Sequence, residues 1–116
     1  MSLTLGSVVI DCTEPLSLVP FWTAALGYER EGNWDEFIWL IDPAGKGTRL
    51  GLQKVESATP GKNRVHFDLY GRDLEAEIDR LVGLGAARLR SHEMEGFRWC
   101  VLQDPAGNEF CVVQAG

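Results

Sequence analysis

Two side chains that can exchange protons stand close together in the second half of the chain, where only Phe67 separates His66 from Asp68. Residues 65–69 alternate between apolar and polar side chains, which indicates a half-buried β-strand and predicts that His66 and Asp68 share one face. A carboxylate beside an imidazole holds one tautomer and stabilises the protonated form, so the pair can act as a general acid or base, or anchor a cationic group. The same alternation predicts that Asp11, near the start of the chain, lies on the matching face of its own strand. The alternative is structural: the aspartates end their strands by accepting hydrogen bonds from turn amides, and His66 is a core side chain.

Aromatic side chains are dense for so small a protein, and five of them fall in strand-like runs or beside them. These are Trp34, Phe37, Trp39, Phe97 and Trp99. Because a strand sends alternate side chains to opposite faces, we expect some of them, Trp39 and Trp99 first, to line a binding surface. A surface lined by indoles and rimmed by acidic groups suits a flat or cationic organic molecule. Packing in the core or in a dimer interface is the alternative for each ring.

A four-residue segment occurs twice, since Asp-Pro-Ala-Gly stands at residues 42–45 and again at residues 104–107. Each copy follows an aromatic-rich apolar run, and each half also has a helical pattern that ends in Leu-Gly, at Gly27 and at Gly85. Repeated landmarks in the same order predict a duplicated unit. Since Pro presets φ and Gly tolerates positive φ, both Asp-Pro-Ala-Gly segments are predicted to be tight hairpin turns.

Each half is predicted to contain a strand, a helix and three further strands. Pro15 suits the first turn of the first helix, and Asp73 suits the N-cap of the second. Neither half can bury a sheet face alone, so we expect two βαβββ modules, about residues 1–57 and 62–116, in one domain. The expected fold class is α+β, with the modules forming a curved mixed sheet around a cup-shaped cavity. The polar residues 91–96 are predicted to be a solvated hairpin loop.

The chain has 116 residues and a formal net charge of −6. A protein that binds nucleic acid through its phosphates needs a basic face, so the acidic balance predicts no nucleic-acid partner. No apolar run approaches the ~20 residues of a membrane span, and the first residues lack the pattern of a signal peptide, so we expect a cytoplasmic protein without a membrane partner. The three cysteines show no metal-finger or redox spacing and are predicted to be reduced thiols.

Three segments carry a family resemblance that covers essentially the whole chain: FWTAALGY at residues 21–28, NRVHFDL at residues 63–69 and DPAGNEF at residues 104–110. With the paired βαβββ pattern, they resemble the glyoxalase, bleomycin resistance and extradiol dioxygenase superfamily, also called the vicinal oxygen chelate superfamily, and within it the short glyoxalase-like domains of bacteria. The resemblance implies a homodimer and a small organic ligand. It also implies a divalent metal that is held by His, Glu or Gln at four positions and polarises two adjacent substrate oxygens.

This sequence keeps few of the metal ligands that the resemblance implies. The matching positions in the first half hold Ser7 or Val9 on the opening strand and Arg49 or Gly51 on the closing strand. In the second half His66 matches outright, while the closing-strand position holds Cys111, with Glu109 two residues earlier on the same face. We therefore expect no metal ion and no cofactor, although His66 with a thiolate can in principle hold zinc.

Three functions remain open on these residues. The first, which the acidic balance and the aromatic rings favour, is metal-free binding of a small organic molecule. The second is a metal-dependent lyase, isomerase or dioxygenase of glyoxalase type that uses His66 with Cys111 or Glu109, and the third is a metal-free acid–base enzyme that uses His66 with Asp68 or Asp11. A partner-binding module without a ligand is the remaining alternative. Across these functions the candidate catalytic residues are His66 and Asp68, and the candidate substrate-binding residues are Asp11, Trp39, Trp99, Glu109 and Cys111.

Overall fold

The chain divides into two compact units, Met1–Ala58 and Thr59–Gly116, which we call module one and module two. The computed structural model describes residues 5, 7–32, 34–57 and 66–114. Within these residues each module contains a strand, a helix and three further strands, so the predicted α+β class and the duplicated βαβββ pattern are confirmed. The predicted join near residues 57–61 lies, after Ser57, outside the described residues, as does Val65 of the predicted strand.

Module one contains, in chain order, β1 (Ser7–Cys12), α1 (Pro15–Leu26), β2 (Glu29–Glu31), β3 (Phe37–Ile41) and β4 (Arg49–Lys54). Its four strands form one sheet in the order β1-β4-β3-β2. β1 runs parallel to β4, while β3 is antiparallel to both β2 and β4. Parallel neighbours need a crossover connection, and α1 lies within the connection that leads from β1 to the other strands.

Module two repeats this arrangement with β5 (Asp68–Gly71), α2 (Leu74–Leu84), β6 (Ala87–Met94), β7 (Phe97–Gln103) and β8 (Glu109–Gln114). Its sheet has the order β5-β8-β7-β6. β5 is parallel to β8, and the other two pairs are antiparallel. The first strand of each module therefore lies at the sheet edge, beside the last strand of the same module.

The helix α1 begins and ends where the sequence predicts. Pro15 occupies the first turn, where its missing N–H removes no helical hydrogen bond. Leu18 and Trp22 are buried on the face that packs against β3 and β4. Gly27 ends the helix in the left-handed conformation, with a φ of 71° that favours glycine.

The helix α2 starts at a side-chain cap, because the carboxylate of Asp73 accepts a hydrogen bond from the backbone N–H of Ala76 at 3.2 Å. Its buried stripe is Leu74, Ile78 and Leu81. Val82, which the sequence pattern adds to this stripe, is exposed, because the helix packs on the sheet through a narrower face than the pattern indicates. No helix among the described residues is long and apolar enough to cross a membrane.

In the second Asp-Pro-Ala-Gly segment, the aspartate side chain accepts the hydrogen bonds that stabilise the turn. Asp104 is buried, and its carboxylate accepts hydrogen bonds from the backbone N–H groups of Ala106 and Asn108, both at 2.9 Å. The Asn108 side chain donates to the same carboxylate. Gly107 has a φ of 91°, so the glycine of this turn takes the conformation that the sequence predicts.

The first segment uses its aspartate in the same way but nearer the surface. The carboxylate of Asp42 accepts hydrogen bonds from the backbone N–H groups of Ala44 at 2.9 Å and Gly47 at 2.7 Å. Because these bonds stabilise the charged form, they hold the pKa of Asp42 below its ordinary value of 3.8. The two turns therefore share one construction, with the aspartate as acceptor for the backbone that follows it.

The predicted hairpin loop before β7 is wrong, because residues 91–94 continue β6. Met94 pairs with Phe97 and His92 pairs with Trp99 in the antiparallel register. The polar composition of the segment favoured a loop, but aromatic partners across the strand extend the ladder. Only the two residues after Met94 form the turn, and both have positive φ.

Candidate functional site

Three side chains with metal-binding or proton-transfer chemistry meet at the β5 edge of the module-two sheet. Asp68 on β5 is the register partner of Cys111 on β8, so their side chains project from the same face. His66 precedes Asp68 by two residues, and its Nε2 atom lies 3.3 Å from the Oδ1 atom of Asp68. One ligand atom from each of the three residues lies within 4.8 Å of the other two. We call His66, Asp68 and Cys111 the His–Asp–Cys cluster.

The backbone positions this cluster through the parallel β5–β8 pair. The N–H of Cys111 donates a hydrogen bond to the carbonyl oxygen of Phe67 at 2.8 Å, between the two residues that supply the imidazole and the carboxylate. Cys111 is half-buried, while His66 and Asp68 are exposed. The Cys111 thiol therefore lies on an inner strand of the sheet. The His66 and Asp68 side chains lie next to it, at the β5 edge.

A pocket of about 480 Å³ opens beside the cluster and is lined by residues of module two. Its polar lining comes from His66, Asp68, Glu95 and Cys111. Its apolar lining comes from Tyr70, Met94, Phe97, Trp99 and Val113. No lysine or arginine is among these described lining residues. The pocket therefore combines carboxylates with aromatic and aliphatic surface.

The apolar lining is exposed to a degree that ordinary core packing does not explain. The exposed fractions are 73% for Tyr70, 64% for Phe97 and 63% for Met94. The ring of Trp99 is half-buried and stacks on His92, with 5.2 Å between the ring centroids and 26° between the planes. Exposed apolar side chains that cluster in this way are typical of binding surfaces.

Glu109 lies on β8, two residues before Cys111, and is engaged elsewhere. Its buried carboxylate forms an ion pair with Arg90, whose Nη2 atom lies 3.1 Å from Oε1. A hydrogen bond joins the same two atoms. The predicted binding role of Glu109 stays a prediction, and the structure gives this carboxylate a partner within its own sheet.

Two further candidates, Asp11 and Trp39, belong to module one. Asp11 is exposed on β1 opposite Gln53. The ring of Trp39 packs at 4.9 Å from the ring of Phe37, and the guanidinium of Arg49 lies 4.4 Å from the Trp39 ring centre. The structure therefore brings His66, Asp68, Cys111 and Trp99 together at one pocket, while roles for Asp11 and Trp39 stay predictions.

The strand register identifies the residues of module one that are equivalent to Asp68 and Cys111 in module two. In each module, the residue two positions before the Asp-Pro turn pairs with a buried residue of the last strand: the pairs are Leu40–Leu50 and Leu102–Phe110. The next residue on the last strand is Gly51 in module one and Cys111 in module two. Val9 lies opposite Gly51 as Asp68 lies opposite Cys111. Module one thus carries an aliphatic side chain and a glycine at these two positions.

A comparison with known proteins gives a family for this chain. A model of the Glyoxalase-like domain family matches residues 7–113 of the chain. The chain belongs to this family. No curated protein matches it significantly in sequence.

Solved structures of this superfamily share the fold over nearly the whole glyoxalase-like domain. One is a member of the glyoxalase/bleomycin resistance protein/dioxygenase superfamily from Sphaerobacter thermophilus, with a TM-score of 0.74 and 21% identity over 97% of this chain and 98% of that one. A bleomycin-binding protein from Streptomyces verticillus, complexed with copper(II)-bleomycin, has a TM-score of 0.67 and 22% identity over 100% and 99% of the two chains. A fosfomycin resistance protein from Listeria monocytogenes has a TM-score of 0.81 and 11% identity over 100% and 96%. At these identities the likeness shows the fold alone.

The donor set of this glyoxalase-like domain does not fit the hard ion that four His, Glu or Gln ligands hold. A thiol is a poor ligand for Mg²⁺ or Mn²⁺, which prefer oxygen, and the resemblance puts Ser7 or Val9 and Arg49 or Gly51 at the module-one ligand positions. One imidazole nitrogen, one carboxylate oxygen and one thiol sulfur instead suit a borderline ion.

Sequence reasoning missed four lining residues of the pocket, namely Tyr70, Met94, Glu95 and Val113. Two of them carried a usable signal, because Tyr70 is two residues after Asp68 and Val113 is two residues after Cys111, and period-two alternation continues each face. Met94 and Glu95 carried none, since their segment was predicted to be a loop. The extension of β6 is what brings them to the pocket.

Proposed function

We propose that this glyoxalase-like domain binds a planar organic molecule, neutral or positively charged, in the module-two pocket. The observation that carries the proposal is the combination of exposed apolar rings with carboxylates and no lining lysine or arginine among the described residues. Aromatic faces pack against flat rings and attract cations. Asp68 and Glu95 add negative charge at the same place. A volume of about 480 Å³ falls in the range of small-molecule sites.

The proposed binding does not use a four-ligand metal centre of the superfamily type. The resemblance puts Ser7 or Val9 and Arg49 or Gly51 at the module-one positions of such a centre, and none of these is one of its usual ligands. The structural neighbour from Streptomyces verticillus is a bleomycin-binding protein, which supports small-molecule binding as a function that this fold can carry.

A pair of matched ring systems tests the proposal. N-methylacridinium and acridine have nearly the same shape, and at about pH 8 only the first carries a fixed charge. Both are titrated into the full chain in the presence of a chelator, with tryptophan fluorescence and calorimetry as readouts. We expect both to bind and the cation to bind more tightly. Asp68→Asn should remove the preference for the cation, whereas Asp79→Asn, on the helix that covers the opposite face of the sheet, should leave it. Failure of both ring systems to bind would contradict the proposal.

A second function, metal-free acid–base catalysis, is favoured by the 3.3 Å contact between His66 Nε2 and Asp68 Oδ1. An imidazole oriented by a carboxylate can exchange a proton with an acidic C–H of a bound molecule. Proton NMR in D₂O with small planar ketones measures that exchange directly. His66→Gln should abolish the exchange and leave ketone binding within about threefold, and unchanged exchange in this variant excludes His66 as the base.

We propose that the protein is a homodimer, as its superfamily resemblance implies. Large apolar side chains that are exposed on each module support an interface, among them Val9, Leu16 and Leu89. Sedimentation velocity on the full chain tests this, and a mass of one chain at all concentrations contradicts it.

We also propose a cytoplasmic location. None of the three cysteines forms a disulfide, and Cys12 and Cys100 are buried as small apolar side chains, as in proteins of reducing compartments. Fractionation of cells that express the tagged chain checks this, and recovery outside the cytoplasmic fraction contradicts it.

A further inference from the structure

We propose that the ligand of the module-two pocket is an elongated flat molecule with a positively charged group at each end, one bound by Asp68 and the other by Glu95. This deepens the proposed function and rests on it, since it concerns the same pocket. It adds a second charge and a minimum length to the ligand, and it makes Glu95 the residue that selects for both.

Asp68 lies in the first of two rows of paired residues that cross the module-two sheet. In this row Asp68 on β5 pairs with Cys111 on β8, and Cys111 pairs with Val101 on β7. Directly paired residues of adjacent strands project from the same face of the sheet. Asp68 is the carboxylate of this row, at the edge strand.

The second row consists of apolar side chains. Tyr70 pairs with Val113, and Val113 pairs with Trp99. Each of them lies two residues along its strand from the first row, so all three return to the face of Asp68. All three line the pocket.

Glu95 lies beyond the second row, at the tip of the β6–β7 hairpin. Phe97, two residues from Trp99 along β7, pairs with Met94 on β6, and Glu95 and Gly96 form the turn between them. The four residues from Val101 to Phe97 span roughly 13 Å of strand. The apolar lining therefore separates the two carboxylates, and a ligand that reaches both has to be elongated.

The Glu95 carboxylate has no cationic partner among the described residues, whereas two nearby carboxylates do. An Oε2 atom of Glu93 lies 3.9 Å from Nε of Arg98, and Glu109 pairs with Arg90 at 3.1 Å. Glu95 is exposed and lines the pocket. Its carboxylate can therefore bind a cationic group of a ligand, and an amidinium can donate two parallel hydrogen bonds to it.

The backbone conformation of Glu95 is unfavourable for a glutamate. Its φ is 48°, and it is the one non-glycine residue with positive φ in the part of the chain that the structure describes. Two-residue hairpin turns with positive φ at both positions favour asparagine or aspartate before the glycine. Residues in such a conformation cluster at binding sites, and here the unfavourable position holds a carboxylate of the pocket.

The surface between the two carboxylates suits a flat body. Tyr70, Phe97 and Trp99 provide rings, and the Trp99 ring is stacked on His92. Aromatic faces pack against flat rings and attract positive charge. An aromatic molecule with an amidinium or ammonium group at each end matches the two carboxylates and the surface between them.

The test compares four synthetic probes by calorimetry on the full chain, at low ionic strength and with a chelator present. A fluorene with an amidinium group at each end is the long dication, and the same fluorene with one amidinium group is the monocation. A fluorene with a neutral carboxamide at each end controls for shape, and a benzene ring with two para amidinium groups is the short dication.

We expect the long dication to bind about tenfold more tightly than the monocation, because only the long dication reaches both carboxylates. The neutral fluorene should bind more weakly than the monocation, and the short dication no more tightly than the monocation. The advantage of the long dication should shrink as salt is added, since both carboxylates are exposed.

Three variants assign the second charge to Glu95. Glu95→Gln should remove the advantage of the long dication and change the affinity for the monocation by less than about threefold. Glu93→Gln is the matched control, because it removes the same charge two residues away and Glu93 is not among the pocket lining. Glu95→Asn should also remove the advantage while raising the melting temperature, since asparagine favours this turn position, so poor folding cannot explain the loss.

Equal affinity of the unaltered chain for the long dication and the monocation overturns this proposal and leaves the proposed function standing, because the monocation still binds. Equal affinity for the long and the short dication overturns it too, since charge alone then explains the preference. An advantage that survives in Glu95→Gln excludes Glu95 as the second anchor. Failure of all four probes to bind overturns both this proposal and the proposed function.

Discussion

Asp68 lies opposite Cys111 across two parallel strands, and in module one the equivalent pair is Val9 and Gly51. At this strand pair the register is the same in both modules, so the two pairs differ in their side chains. A duplicated sheet has kept its pairing while one copy carries donor atoms and the other carries apolar packing. The described cluster of His66, Asp68 and Cys111 therefore lies in module two, where it adjoins the pocket.

The exposed ring of Phe97 should contribute directly to binding of a planar cation. Phe97→Ala removes an aromatic face that is 64% exposed, so it costs little folding energy. We expect affinity for N-methylacridinium to fall about tenfold, or ~1.4 kcal/mol. The matched control is Trp34→Ala, which removes a still more exposed ring, 80% exposed, from module one. Equal affinities of the Phe97→Ala variant and the unaltered chain would place the bound ring elsewhere.

The helices and turns were predictable because their signals are local. Pro15, Asp73 and Gly27 act within one or two turns of helix, and their capping roles depend on neighbours a few residues away. The buried aspartate Asp104 bonds to the residues that directly follow it. Such local signals can be read directly from the sequence.

The site was predictable only in part, because lateral neighbours depend on strand pairing. Alternation places His66 and Asp68 on one face, but it does not tell which strand lies beside them. The pairing of Asp68 with Cys111 joins residues that are distant in the chain. Met94 reaches the pocket because Phe97 extends the strand opposite it, and the polar composition of that segment concealed this. The places of Cys111 and Met94 in the site are determined by pairing between strands, which local sequence propensity does not reveal.

The ion pair between Arg90 and Glu109 should stabilise module two. Arg90→Met leaves the buried carboxylate of Glu109 without its partner, and we expect a loss of about 1–2 kcal/mol in the free energy of unfolding, less than for a fully buried pair because Arg90 is partly exposed. Glu109→Gln in the same chain should recover most of it, because no unpaired charge is left. Urea denaturation measures both variants. Arg98→Met is the control, since the carboxylate contacts of Arg98 are 3.9 Å long. If Arg98→Met lowers the free energy of unfolding as much as Arg90→Met does, the loss is not specific to the Arg90–Glu109 pair.

Two glycines in the helical segments should respond to alanine in opposite directions. Gly83 lies within α2, and a Cβ there meets nothing within 4 Å, so Gly83→Ala should stabilise by about 0.5–1 kcal/mol through lower backbone entropy of the unfolded chain. Gly27 also has open space, but its φ is +71°, so Gly27→Ala should destabilise by about 1 kcal/mol. Thermal unfolding followed by circular dichroism measures both. A change in melting temperature of the same sign in both variants would contradict the prediction that Gly27 needs its positive φ and Gly83 does not.

The turn at Asp42 should make stability depend on pH in the acid range. Backbone N–H groups of Ala44 and Gly47 hold the pKa of Asp42 below 3.8 in the folded chain, so the folded state binds this proton less readily than the unfolded state. The resulting stabilisation is present above the unfolded pKa and is lost as pH falls through the folded one. The melting temperature of Asp42→Ala should therefore lie below that of the unaltered chain near neutral pH, and the gap should narrow as the pH drops below 3.8. Asp42→Asn keeps an acceptor oxygen without a titrating group. At neutral pH its melting temperature should therefore lie between those of Asp42→Ala and the unaltered chain. A gap that is constant from neutral to acid pH shows that the charge of Asp42 does not stabilise the turn.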